Sequence, residues 1–185
     1  MAYISRYPIL DIYHVGVTSS RPPAYDIDGP LYYHGYYAFD NSRSLSDHSM
    51  GNAWISDYRE FKKQRIWADL EAPYVISRIY YENYHDTNPP STFNPALFAG
   101  DMNNGAYEGS IWASNYQPGA YGNYEGLVNL WEGSFDIHSE FNQSDPKYVY
   151  LSNSELFRYY IIDIDNNYYG NSGVGFRRIE LQELV

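Results

Sequence analysis

Hydrophobic and polar residues alternate along several short segments of the chain, and the clearest case is Tyr74–Tyr84. Within this segment the odd-numbered residues of 75–81 would share one face of a strand, and the even-numbered residues of 76–80 would share the other. A shorter segment, Arg65–Leu70, has the same period of two. This period is typical of a β-strand that buries one face, so both segments are predicted to be strands.

Other short apolar segments, bounded by residues that favour turns, predict further strands. These segments are Ile12–Ser20, Leu127–Trp131, Tyr148–Leu151, Phe157–Ile164 and Val174–Leu184. No segment of useful length has the 3.6-residue period of a helix. Short strands separated by turns predict an all-β protein, an antiparallel β-sandwich, formed as a single domain by residues 1–185. Residues 1–11 are predicted to be an N-terminal arm or an extra strand.

Proline, glycine and tyrosine are concentrated in loops between these strands. The loop 21–37 has three Pro, two Gly and five Tyr, and the loop 85–91 is also rich in proline. This density of Pro and Gly favours turns, so the tyrosines of loop 21–37 are difficult to bury together. The segment 101–126 is rich in Gly, Asn and Tyr and is predicted to be one long connection, which must fold on itself or bind a partner.

Composition narrows the classes of partner. The formal net charge is −11, which argues against nucleic acid and anionic membranes because both favour Lys and Arg. No apolar stretch approaches the length that inserts across a bilayer, and Met1–Tyr7 lacks the basic start and apolar run of a signal peptide. The chain has no Cys but has 23 Tyr and 4 Trp. Disulfides are excluded, and the rings must lie half-buried on sheets or on a surface that stacks on a ligand.

The order of several short motifs resembles a known family. A short acidic turn, Ala38–Asn41, is followed by an Asn two residues before Trp54, then by the alternating strand that ends in Asp-Leu, and finally by Glu180 in the last predicted strand. This order resembles the discoidin-like domains, the family of coagulation factor type C domains and galactose-binding modules. The resemblance covers about residues 12–184. It implies a jelly-roll β-sandwich that is galactose-binding-domain-like, with a further strand at Phe93–Gly100.

The resemblance implies a structural calcium ion that ties the acidic turn to the last strand. The carboxylates of Asp40 and Glu180 fill the two acidic positions of such a site, and Asn52 stands where the family has a threonine. Oxygen ligands from one loop and one distant carboxylate suit Ca²⁺. The alternative is that Asp40 caps a turn and that Glu180 pairs with Arg178 or a lysine.

The resemblance also implies that the loops 21–37, 55–64, 83–92 and 165–173 converge at one end of the sandwich and bind the ligand. Their candidate ligand-binding residues are Tyr25, Tyr32, Tyr33, His34, Tyr36, Tyr58, Arg59, Tyr84, His85, Asp86, Tyr168 and Tyr169. Sugar rings stack on aromatic faces, and sugar hydroxyls bond to Arg, Asp and His. The set therefore favours a glycan or glycoprotein ligand. The alternative is that the loop rings fold back onto the core.

Patterns that would indicate catalysis are weak. The loop carboxylates are Asp26, Asp28, Asp101, Glu108 and Glu125. Their spacing selects no pair of the kind that a glycosidase needs. The five histidines lack the spacing of a metalloprotease motif, and no GxSxG nucleophile turn is present. The chain is therefore predicted not to be an enzyme.

The favoured function is a non-catalytic carbohydrate-binding or adhesion module, extracellular or on a virion surface. Single sugar contacts are weak, so repeated copies are expected to supply avidity. The alternative is a structural virion protein, such as a phage tail component or a capsid decoration, that uses the same fold for protein contacts. In that case residues 1–11 and 101–126 would contact protein neighbours or other copies in a homo-oligomer.

Overall fold

The computed structural model describes residues 2–19, 33–47, 49, 51–57, 60–86, 102–139, 143–168, 170 and 173–185. The strands within these residues are β1 (Tyr3–Arg6), β2 (Val15–Val17), β3 (Trp54–Ile55), β4 (Gln64–Tyr74), β5 (Ile76–Asn83), β6 (Ala106–Ser114), β7 (Val128–Ser134), β8 (Lys147–Tyr150), β9 (Phe157–Asn167) and β10 (Gly175–Leu184). Two short 3-10 helices lie at Gly35–Phe39 and Met102–Asn104. In this described part of the chain, no helix has the length and hydrophobicity needed to cross a membrane.

Two five-stranded sheets form the sandwich. The first sheet has the order β1-β10-β5-β8, with β3 paired to β10, and the second has the order β2-β4-β9-β6-β7. The strands pair in antiparallel fashion throughout both sheets. The predicted all-β class and antiparallel β-sandwich are confirmed. Residues 3–6 form an extra strand at the edge of the first sheet, where Tyr3 is opposite Leu184.

The hydrophobic core lies between the sheets because the long strands turn alternate apolar side chains inward. The inward residues of four long strands are Ile66, Ala68 and Leu70 of β4, Ile79 and Tyr81 of β5, Tyr160, Ile162 and Ile164 of β9, and Phe176, Ile179 and Leu181 of β10. Trp54 is fully buried and lies beside Phe176, with ring centroids 6.5 Å apart. Burial of these side chains is the main stabilising contribution to a sandwich of this size.

The outer face of the second sheet is covered by the segment that follows β6. Arg65 of β4 donates from this face to the carbonyl oxygens of Gly119, Ala120 and Asn123, at 2.8, 2.9 and 3.2 Å. Its Nε and Nη2 also donate to the two carboxylate oxygens of Asp163, at 2.6 and 2.7 Å. Both side chains of this ion pair are buried. A single arginine therefore joins two strands and the segment above them.

The prediction that residues 101–126 form one long connection is wrong. Residues Ala106–Ser114 form β6, which lies between β9 and β7 in the second sheet. Ser110 and Ser114 of this strand are buried, because the segment that follows β6 covers the face on which they lie. Residues 109–114 of the strand therefore include no exposed polar side chain, and they lack the alternation that would indicate a strand.

Two other predicted strands differ from the structure in extent or facing. The predicted strand Ile12–Ser20 contributes only the three residues of β2. In β5, Ile79 and Tyr81 face the core on the predicted odd-numbered side, but Ile76 is buried in the core as well. The pairing of β5 with β10 shifts its register beyond Arg78, which reverses the face of the strand there. The predicted strand Phe93–Gly100 lies outside the described residues.

Candidate functional site

The predicted ligand-binding residues at the loop end, defined here by residues 33–57 and 83–86, are largely turned inward. Tyr33, Tyr84 and His85 are buried, while His34, Tyr36, Asp86 and Tyr168 are half-buried. Tyr25, Tyr32, Tyr58, Arg59 and Tyr169 lie outside the described residues. The expectation that Tyr33, Tyr84 and His85 contact a ligand is therefore corrected, because their side chains pack inside the protein.

Hydrogen bonds hold the segment around Ser49 against the end of β5. The hydroxyl oxygens of Ser49 and Tyr84 are 2.8 Å apart. The N–H and the hydroxyl of Ser49 donate to the carboxylate of Asp86, at 3.0 and 2.7 Å. Tyr84 also packs with Tyr33 in a small buried cluster. The predicted residues Tyr33, Tyr84 and Asp86 are thus held by contacts within the loop end.

Two of the half-buried candidates lie together beside the first 3-10 helix. The rings of His34 and Tyr36 are stacked with centroids 4.6 Å apart, and Tyr37 meets both rings edge-on. The guanidinium of Arg43 lies over the ring of Tyr37, at 4.1 Å from its centroid. Partial burial lowers the pKa of His34, so its ring is neutral near pH 7. His34 and Tyr36 are thus a second group of predicted residues that the structure brings together.

Tyr168, another predicted ligand-binding residue, contacts residues that lie outside the loop end. Its hydroxyl donates to the carbonyl oxygen of Phe135, and its ring lies 4.7 Å from that of Tyr107. Burial raises the pKa of Tyr168 to about 12, so the hydroxyl remains a donor at physiological pH. Neither contact involves another of the predicted ligand-binding residues.

The side chain of Arg177 in β10 forms hydrogen bonds to two segments of the loop end. Its side chain is fully buried, and its Nη1 donates to the carbonyl oxygen of His85 at 3.0 Å. Its Nη2 donates to the carbonyl oxygens of Ser44 and Asp47, at 2.8 and 2.9 Å. Burial lowers the pKa of Arg177, although a guanidinium remains charged in proteins. The sequence analysis missed this residue, even though a period of two places it on the same face as Ile179.

A buried histidine pair lies next to this arginine. The rings of His85 and His138 are stacked, with centroids 3.8 Å apart. Both are buried, and Nδ1 of His138 lies 3.7 Å from Oε2 of Glu82. Burial, followed by the positive charge of Arg177 and then by His138, lowers the pKa of His85 to about 3, against a weaker opposing effect of Asp145. Burial also lowers the pKa of His138, against the opposing effect of Glu82.

Acid is expected to destabilise the fold through this pair. An unfolded histidine titrates near pH 6.5, so between about pH 6.5 and 3 the unfolded state binds a proton that folded His85 does not, and stability falls by up to about 1.4 kcal/mol per pH unit. His85→Phe should flatten the pH dependence of the free energy of unfolding over this range, as measured by urea titration. Equal slopes for the wild type and His85→Phe would contradict the expectation.

A tyrosine face that the sequence-based set does not include lies on the outside of the first sheet. We define it by Tyr3, Arg78, Tyr148 and Tyr150. Tyr148 and Tyr150 of β8 are 44% and 63% exposed. The guanidinium carbon of Arg78 lies 3.5 Å from the ring centroid of Tyr3 and 4.4 Å from that of Tyr148. The signal in the sequence was the alternation around buried Val149, which places both β8 rings on one face.

Comparisons with known proteins agree with this architecture. No family model matches the sequence, and no curated protein matches it. Among solved structures, the family 32 carbohydrate-binding module of NanJ from Clostridium perfringens, in complex with galactose, matches with a TM-score of 0.58 and 12% identity. The match covers 91% of this chain and 92% of that chain. The chain has the discoidin-like β-sandwich fold.

Two further solved structures match this chain over nearly its whole length. CpGH89CBM32-5 from Clostridium perfringens, in complex with GalNAc-β-1,3-galactose, matches with a TM-score of 0.56 and 15% identity over 90% of this chain and 91% of that chain. Chitosan-binding module 1 of a chitosanase/glucanase from Paenibacillus sp. IK-5 matches with a TM-score of 0.56 and 13% identity over 92% and 93%. These matches confirm the fold that the resemblance implied.

An arginine lies beside the predicted calcium ligand Asp40. Nε of Arg43 donates to the carboxylate of Asp40, and Nη1 donates to the carbonyl oxygen of Gly51, each at 2.8 Å. The N–H and hydroxyl of Ser42 also donate to Asp40, at 3.0 and 2.6 Å. Burial raises the pKa of Asp40, but the hydrogen bonds from Ser42 and Arg43 outweigh it and leave the pKa lowered.

The other two predicted calcium ligands also bond to protein donors. The amide oxygen of Asn52 accepts from the N–H of Ser44 at 3.1 Å, and the carboxylate of Glu180 accepts from the hydroxyl of Ser5 at 2.7 Å. Among the described residues, no group of three or more His, Asp and Glu side chains could hold a metal ion. As arranged, the donor set does not fit Ca²⁺, because protein donors, including a guanidinium, already bond to its oxygens.

The acidic turn is therefore expected to be stable without metal. EDTA should leave the melting temperature of the intact domain unchanged, as measured by calorimetry. Arg43→Ser should lower the free energy of unfolding by about 1–3 kcal/mol, because Asp40 and the Gly51 carbonyl lose their charged donor. Arg6→Ser is a matched control, since the partly exposed Arg6–Glu183 pair is worth at most about 1 kcal/mol. A rise in the melting temperature of the wild type with millimolar Ca²⁺ would support the metal instead.

Proposed function

We propose that this discoidin-like domain is a non-catalytic glycan-binding module that acts outside the cell or on a particle surface. The observation that carries the proposal is the match, over nine-tenths or more of the chain, to solved modules described as binding galactose, GalNAc-β-1,3-galactose and chitosan. The identities of 12–15% leave the ligand of this chain open. The ligand class therefore depends on the side chains that this chain itself presents.

Those side chains suit sugar recognition. Exposed tyrosine rings offer flat apolar surfaces for the C–H faces of sugars, and neighbouring guanidinium and amide groups bond to hydroxyls. Both kinds of group stand on the tyrosine face, and the sheets beneath hold them in place. Binding to a preformed surface of this kind avoids the entropy cost of ordering it on contact.

The buried carboxylates support a non-catalytic role. Asp163 pairs with Arg65, and Asp69 pairs with Arg158 at 2.6 Å. Glu82 accepts hydrogen bonds from the hydroxyl of Tyr80 and from the N–H of Asp145, at 2.5 and 2.6 Å. A glycosidase needs two carboxyl groups facing a substrate cleft, whereas these three carboxylates are bonded within the structure.

A glycan array probed with a tetramer of the domain tests the proposal, because tetramerisation converts weak single-site binding into measurable avidity. We expect selective binding to a subset of glycans, with free sugar of the same kind as a competitor. A parallel assay with chromogenic glycosides should show no hydrolysis. The absence of binding to every glycan by the tetramer would remove the proposal, and hydrolysis would replace it with an enzyme.

A second candidate function, contact with protein neighbours in an assembly, is favoured by one observation. Four large apolar side chains near the N-terminus are exposed: Ile9 at 46%, Leu10 at 40%, Ile12 at 62% and Tyr13 at 77%. Contiguous exposed apolar residues are typical of protein interaction sites. Light scattering should then show self-association that the double variant I12S/Y13S removes. A monomer at all concentrations would argue against contact with copies of this chain.

A further inference from the structure

The tyrosine face carries an arginine that is aligned with its aromatic and amide neighbours across three strands. Gln182 of β10, Arg78 of β5 and Tyr150 of β8 lie side by side in register. Two residues away along each strand there is a second aligned set, which consists of Glu180, Tyr80 and Tyr148. Alternate residues of a strand share a face and are about 7 Å apart, so Tyr148 and Tyr150 present two rings in line.

Arg78 is held in place but is not neutralised. Its Nε donates to the amide oxygen of Gln182 at 2.7 Å, and the rings of Tyr3 and Tyr148 contact the guanidinium. Within the described part of the chain, Arg78 makes no ion pair, and its Nη atoms have no hydrogen-bond acceptor. The carboxylate of Glu180, on the same face, accepts instead from Ser5 and from Gln182, at 2.7 and 3.2 Å.

This arrangement favours a ligand that carries a negative charge and has a flat apolar face. Rings that contact a guanidinium leave its N–H edge as the direction in which it can bond. Two free Nη atoms at that edge match the two oxygens of a carboxylate, which arginine binds in a bidentate manner. The adjacent ring of Tyr150, the most exposed of the face, is available for the C–H face of the sugar that bears the carboxylate.

We propose that the tyrosine face binds carboxylated glycans, those with uronic or sialic acid residues. The carboxylate of the sugar would bond to the Nη atoms of Arg78, and its ring would stack on Tyr150. The inference rests on the proposed glycan-binding function and names both its ligand class and its location. The location differs from the loop end, where the candidates Tyr33, Tyr84 and His85 are buried.

Matched probes and variants test the inference with the whole chain. The tetramer is titrated with trigalacturonate and its carboxyl-reduced counterpart, and with sialyllactose and lactose. At least one acidic probe should bind more tightly than its neutral counterpart. Arg78→Gln should weaken that binding about 10- to 100-fold, the range for losing a charge-assisted hydrogen bond, and Arg78→Lys less. Tyr150→Ala should weaken it about 3- to 10-fold.

The controls separate the two proposals. Arg6→Gln removes an arginine charge at the edge of the same sheet, and Tyr116→Ala removes a ring that is 78% exposed outside the tyrosine face; both should bind as the wild type does. Thermal melts confirm that each variant folds, and exposed Tyr150 provides the second test if Arg78→Gln does not fold. Equal binding of acidic and neutral probes, or an unchanged affinity of both face variants, overturns this inference while glycan binding stands. No glycan bound at all overturns both.

Discussion

Replacing Asp163 with alanine is expected to lower the free energy of unfolding by about 3–5 kcal/mol, the range for breaking a buried ion pair by removing one partner. The variant leaves the guanidinium of Arg65 buried without its carboxylate. It also weakens the anchor of the segment after β6, since the same guanidinium donates to three carbonyl oxygens of that segment. Urea titration followed by tryptophan fluorescence measures the loss, and limited proteolysis reports whether the segment after β6 is released.

A double variant separates the ion pair from general packing. Arg65→Met combined with Asp163→Leu removes both charges together, and we expect it to recover at least half of the stability lost by Asp163→Ala, because a buried pair can often be replaced by apolar residues of similar size. Proteolysis after β6 should nevertheless remain fast, because methionine donates no hydrogen bonds. A double variant as unstable as the single one would show that the charges themselves are not the cause.

Replacing Arg177 with methionine is the second change with a large expected effect, about 3 kcal/mol of unfolding free energy. Three carbonyl oxygens, those of Ser44, Asp47 and His85, lose their donor at once. An acceptor left without a partner costs about 1–3 kcal/mol where it is buried, as His85 is. The relief from burying a charge offsets part of this cost. Hydrogen exchange should rise first in residues 44–47, because these are joined to β10 through this side chain.

Arg177→Lys tests whether geometry or charge matters. Lysine keeps the charge but lacks the planar fork that reaches carbonyl oxygens in two segments, so we expect a loss close to that of Arg177→Met. Arg178→Met is the neighbouring control. Its Nη2 donates to a single carbonyl oxygen, that of Arg43, so a smaller loss is expected. Equal losses of unfolding free energy for Arg177→Met and Arg178→Met would show that the three hydrogen bonds of Arg177 add no particular stability.

The sheets were predictable where a strand has one buried and one polar face. β8 and the odd-numbered residues of β5 follow the period of two, and they were found in place. β6 was not found, because its outer face is covered by a folded segment and so carries buried serines rather than exposed polar residues. The alternation of hydrophobic and polar residues along a strand indicates only which face contacts solvent. Whether another segment covers that face depends on the tertiary structure.

The candidate site was less predictable for a related reason. Proline and glycine in a loop do not determine which way a tyrosine ring turns, and Tyr33 and Tyr84 are buried in the structure. Arg78 lies within the regular strand β5, whereas the residue patterns that indicate ligand binding in a sequence are concentrated in loops. Its significance depends on Tyr3 and Gln182, which are distant in sequence and become neighbours only through the pairing of β5, β10 and β1.

The pairing of β1 with β10 brings the two ends of the chain together. Ala2 and Val185 exchange backbone hydrogen bonds, at 3.4 and 3.0 Å. Anything fused to either end would depart from a single corner of the sandwich, so the domain can be inserted into a loop of a carrier protein with short linkers on both sides. The same geometry suits a circular permutant in which the present ends are joined.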